Sequence, residues 1–239
     1  MKFQLVEEIQ DKIERARSQQ EVYSYFVGFI DRLGGTLLEP GKTFEQMISE
    51  KRGFLEPLFI VFVFHVVVGA LVGSFIAKLA LSILAFLGPF LGGEVTGIIL
   101  QIPVLITLLW LVCGLMLWVI FAGIAHLCAR HVFKGVGSFA QLLKLYGYAY
   151  VPYFLVIIAT MLLEANLFLF LGYSMILYIT AILWMVLLMV VAVERSHRID
   201  PGKAFISSLT GPLAISIILL AASGLLISWM DGLLGRLFA

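Results

Sequence analysis

Five long runs of apolar residues follow one another after Pro57: about Pro57 to Ala77, Ile98 to Cys128, Leu145 to Leu163, Tyr173 to Val193 and Leu209 to Met230. Each can form a helix that crosses a ~30 Å hydrocarbon layer, because ~20 residues at 1.5 Å per residue suffice. The second run is overlong, and tilt, or an extension beyond the bilayer with a bend near Pro103, would absorb the excess. Between the first two runs, Leu79 to Leu91 is apolar but broken by Gly88, Pro89, Gly92 and Gly93, which predicts an interfacial or re-entrant segment, or else an extra span. Residues before Pro57 follow a different rule. Leu5, Ile9, Ile13 and Ala16, widened by Val6, recur at helical spacing among the charge pairs Glu8–Lys12 and Asp11–Arg15, predicting an amphipathic helix. Val22, Tyr25, Phe26, Phe29, Ile30 and Leu33 form a greasier helix expected to end at Gly34-Gly35. Glu39-Pro40-Gly41 reads as a turn, and Thr43 with Gln46 has capping-box spacing for a short helix leading into the first span.

Composition sharpens this picture. The 239 residues are 62% apolar and 13% charged, against roughly 45–50% and 25% in soluble domains, and mean hydropathy is +1.06. So much apolar surface has to meet lipid, which excludes the soluble enzyme classes. Net charge is +1, so no global field draws in nucleic acid. Position matters more than the sum: ten acidic and eight basic residues lie in the first 56. Arg130, Lys134 and Lys144 follow span 2, and Arg195, Arg198 and Lys203 follow span 4, whereas the opposite side holds only Lys78 and Arg236. A fourteen-to-two bias predicts a cytoplasmic head and an external carboxyl terminus. The charged opening stretch lacks the apolar centre of a signal peptide and is expected to be retained. The organisation expected is a cytoplasmic amphipathic head over 1–56 and a five-span all-α transmembrane bundle over 57–239.

Reactive groups are few within the spans. His65, Gln101, His126 and Glu164 are the polar candidates there, with Thr107 beside them. His126 and His131 stand five apart and do not share a helical face, and no His-Glu-x-x-His, P-loop or Gly-x-Gly-x-x-Gly segment occurs. No catalytic, metal or cofactor residues are therefore assigned. Cys113 and Cys128 read as small core residues, and Ser138 as the cap of a helix starting at Phe139. Gly69, Gly73 and Ala77, and Ala221 to Gly224, are small-residue strips for packing within one bundle or, alternatively, for forming a homo-oligomer.

One segment stands apart, Gly137 to Pro152, in which Tyr146, Tyr148, Tyr150 and Tyr153 are placed as interfacial anchors and Gly147 and Pro152 permit a bend. Its Gly147-Tyr148-x-x-x-Pro152 spacing at the third span, with Pro40, Thr43 and Phe44 before the first, resembles the Yip family of Ypt-interacting five-span membrane proteins. Lys203-Ala204-Phe205 before the last span fits as well. The Asp-Leu-x-Gly-Pro element that eukaryotic members carry before span 1 does not occur there, so the chain is more similar to prokaryotic members, and the small-GTPase role tied to that element stays open. The resemblance implies a non-enzymatic membrane scaffold or adaptor linked to membrane organisation or trafficking, contacting the bilayer and protein partners through its head and loops. The polar span residues and the Gly88-Pro89 break keep a small-solute or ion transporter or channel as the alternative.

Overall fold

The computed structural model describes residues 23–50, 53–87, 97, 99–165 and 173–237. The amphipathic helix expected over residues 5 to 16, the rim residues Lys51 and Arg52, and the Gly88-Pro89 break lie outside the described residues. Helix α1 covers 23–38, α2 Pro40–Ser49, α3 Leu55–Leu87 and α4 Ile102–Leu127, which ends in a π-helical turn Cys128–Val132. Then come α5 Phe139–Tyr148, a 3₁₀ turn Val151–Tyr153, α6 Phe154–Ala165, α7 Met175–His197 and α8 Pro201–Leu237. Among the described residues five helical segments are long and apolar enough to cross a membrane, and the chain is an all-α polytopic bundle.

Helices α3 and α4 form an antiparallel pair. Close approach is possible because Gly69 backs onto Thr107 and Trp110, and Gly73 onto Pro103. That strip is thus covered within the chain, while Ala221 to Gly224 of α8 stay exposed. Three readings of this region change. The stretch after Ala77 continues α3 unbroken to Leu87, since Leu79 to Leu87 contains neither Gly nor Pro. Pro103 opens α4 instead of bending it, its missing N–H costing nothing in a first turn. Cys113 is exposed on α4, and Cys128 half-buried.

The buried core lies toward one end of the bundle, where α2, the start of α3, the end of α4, α5 and the end of α7 meet. There Phe44, Val61, Ala122, Leu142, Leu145, Tyr146 and Leu188 are sealed from solvent. The third span, α5 to α6, is the most enclosed, with 61% of its apolar stretch buried against 11% for the stretch in α4. This enclosure overturns the anchor reading of the tyrosines: Tyr146, Tyr148 and Tyr150 are core residues, ringed by four other helices. Beyond residue 215, α8 is exposed through Leu225, apolar surface that suits lipid.

Local chemistry explains most of the boundaries. Ser138 caps α5 in a reciprocal box with Gln141, as the spacing predicts. Ser138→Ala is expected to cost about 1 kcal/mol in thermal unfolding, with Ser138→Asp close to wild type. Asp200 caps α8 by accepting from Gly202 and Lys203 N–H, after Arg198 has ended α7 in the left-handed region. Thr43, however, caps nothing. Helix α2 begins three residues earlier because Pro40 fits its first turn, and Thr43 is buried inside it. Nor do Gly34-Gly35 end α1, which runs to Leu38; Gly35 lets Thr43 pack against the α1 backbone at the corner.

Candidate functional site

At the core end, a polar network joins three segments distant in sequence. Arg32 of α1 donates from Nε to Glu56 Oε2 at 3.0 Å and from its terminal nitrogen to Oε1 at 2.6 Å, a two-pronged pair. Its Nε also reaches the Tyr148 hydroxyl at 3.3 Å, and that hydroxyl donates to Glu56 Oε2. The side chains of Arg32 and Glu56 are 7% and 9% exposed. Burial opposes the charge on Arg32, but its bonds to Tyr148 and Glu56 outweigh that and hold its pKa above the ordinary value. Glu56 sits in the first turn of α3, where the positive end of the helix favours a carboxylate.

The motif residues build this network. A side chain at Gly147 would collide with Pro57, so glycine lets α5 abut the first turn of α3, and the next residue, Tyr148, then lands on Glu56. Pro152 is buried in the 3₁₀ turn that breaks the third span between α5 and α6, the bend its position predicts. This turn sets Tyr150 and Tyr153 against His65, with ring centres 5.4 and 6.0 Å away. On the other flank Pro40 opens α2, and Thr43 and Phe44 are buried, Phe44 within the main core. An ion pair from Glu45 to Arg195 ties α2 to α7. A cavity of about 270 Å³ lies beside the network, with a polar face of Arg32, Glu50, Glu56, Gln141, Lys144 and Tyr148 and an apolar one of Met47, Ile48, Pro57 and Leu145. Lys144 stands 5.1 Å over the Phe54 ring.

The polar span residues are placed separately. His65 bonds the Val61 carbonyl through Nδ1 at 2.8 Å and packs on Gly114. His126 pairs with His197 of α7, Nδ1 to Nε2 at 2.8 Å, and His197 is held from its other side by Ser196. Thr107 donates to the Pro103 carbonyl at 2.6 Å. Gln101 lies before α4, at the opposite end of that helix from His126, and Glu164 falls in the last turn of α6 with its side chain outside the described residues. Among the described residues no three His, Cys, Asp or Glu side chains converge to hold a metal ion.

Sequence reasoning missed Arg32, Glu56 and His197. One signal was available for Glu56: a carboxylate at the mouth of an apolar span needs a cationic partner. No curated protein and no solved structure matches the chain. The Yip1 domain model matches residues 34–223, taking in both motifs and most of the five spans, and the chain therefore belongs to the Yip1 domain family.

Proposed function

We propose that this protein is a non-enzymatic membrane scaffold or adaptor, with a cytoplasmic head over residues 1–56, a membrane body over 57–239 and its carboxyl terminus outside. The observation that carries the reading is the Arg32–Glu56–Tyr148 network, which clamps the head to the third span. With α1 tied to the membrane bundle in this way, the head is placed as a platform for other proteins, and membrane organisation or trafficking is the role class that suits it. The described polar groups of the spans support the same reading, since His65, Thr107 and His126 are engaged by partners within the chain. Those engagements weigh against the transporter alternative, in which such groups would line a path.

Two measurements test it. Reporters fused to the two termini are expected on opposite sides of the membrane, the amino-terminal one in the cytoplasm; same-side termini sink the five-span orientation. Co-purification from membranes is expected to lose partners when residues 1–22 are removed, a deletion that spares Arg32. Unchanged partners would remove the head from the adaptor role. Solute or ion flux in reconstituted liposomes would favour the transporter instead.

A further inference from the structure

Next to the polar cavity lies an apolar one. Tyr25, Phe26 and Phe29 of α1 face Leu58, Phe59 and Phe62 of α3 across an open groove of about 790 Å³, with Leu115 of α4 also lining it. Such a volume lies within the roughly 300–1,000 Å³ typical of small-ligand sites. Glu56 lines both cavities, so they border each other at this residue.

Three observations define the occupant. One wall of the groove is the first turns of α3, one of the membrane-length helices, and its Leu58, Phe59 and Phe62 are exposed there, within reach of bilayer lipid. Apart from Glu56 and the Tyr25 hydroxyl its lining side chains are hydrocarbon, which suits an acyl chain. At Glu56 the lining changes character: Lys144 and Gln141 carry donor groups, Glu50 brings a carboxylate, and the paired Arg32 and Glu56 form part of the wall. An apolar groove capped by a polar cavity matches an amphipathic molecule. A cap lined by both signs of charge matches a zwitterionic head, whose phosphate meets Lys144 and Gln141 and whose ammonium meets Glu50. A purely anionic head would bring no cation to Glu50, whose carboxylate lines the same cavity.

We propose that this composite cleft is a phospholipid site, with one acyl chain between α1 and α3 and a phosphoethanolamine head in the polar cavity. The site is independent of the adaptor role, which rests on partner proteins.

The test uses the full-length protein in detergent, offered dioleoyl phosphatidylethanolamine, phosphatidylcholine or phosphatidylglycerol, with bound lipid read by native mass spectrometry. One phosphatidylethanolamine per chain is expected, held about tenfold more tightly than phosphatidylglycerol. Lys144→Gln, which removes the phosphate partner, and Leu58→Trp, which fills the groove, are each expected to weaken retention by about tenfold at wild-type unfolding temperatures. Free phosphoethanolamine is expected not to displace the lipid. No bound lipid, equal retention of the three lipids, unchanged retention in both variants, or displacement by the free head group would overturn the proposal. Binding only after removal of residues 1–22 would overturn it too, by making the chain's own amino-terminal segment the occupant.

Discussion

Glu56→Ala is expected to lower stability by about 3–5 kcal/mol, the cost of removing one partner from a buried ion pair. The substitution leaves the Arg32 guanidinium in a site where it is 7% exposed, and it strips the Tyr148 hydroxyl of its acceptor. Three segments lose their common tie, because Glu56 is 24 residues from Arg32 and 92 from Tyr148. Lys42→Ala supplies the contrast. Its bond to Glu39 lies on the surface, with side chains 82% and 63% exposed, so its loss should change stability by less than ~1 kcal/mol. Unfolding in detergent or nanodiscs measures both, and limited proteolysis of α1 reports whether the head has come loose. Replacing Arg32 and Glu56 together by methionine should recover much of the loss, because no charge is then left buried. Equal effects of Glu56→Ala and Lys42→Ala would show that the network does not hold the head down.

What could be read from the sequence divides along physical lines. The spans were legible because a bilayer demands a long apolar run, and such a run has one common solution; all five candidate spans coincide with membrane-length helices. The Ser138 cap was legible because a capping box is complete within four residues. Signals that depend on packing misled. Gly34-Gly35 reads as a helix stop by propensity, yet tertiary contact with Thr43 makes a glycine useful within the helix. Tyrosines near a span end read as interfacial, yet Tyr146 and Tyr148 point into a core assembled from helices that periodicity cannot position relative to one another. The site was half legible. Gly147 and Tyr148 stood out as a motif, but their purpose depends on Glu56-Pro57, and nothing local in either segment announces the other. His126 was singled out as a lone polar group, and its partner His197 is 71 residues away on another span.

The same small substitution should have opposite signs at two glycines. At Gly123, within α4, an added methyl meets only the edge of Phe139 at 3.9 Å, an ordinary contact. Gly123→Ala is therefore expected to stabilise by roughly 0.5–1 kcal/mol, because alanine loses less backbone freedom in a helix than glycine does. At Gly147 the methyl would overlap Pro57 Cβ and lie 3.0 Å from both Cα and the carbonyl oxygen of that residue. Two of those three atoms are backbone, so no rotamer change relieves the clash, and α5 has to move away from the first turn of α3. Overpacking of this kind costs about 1–3 kcal/mol, more than the helical gain returns. The displacement also pulls Tyr148 off Glu56, which couples the two sites. Gly147→Ala should accordingly weaken the head clamp, and Glu56→Gln should cost less in that background than in the wild type. Gly147→Val, with two more carbons against the proline, is expected to prevent the bundle from assembling at this end. Unfolding midpoints for the four single variants and the Gly147→Ala, Glu56→Gln pair provide the measurement. Additive effects of the pair would break the link between the close helix approach and the polar network, and a stabilising Gly147→Ala would show that α5 does not abut Pro57.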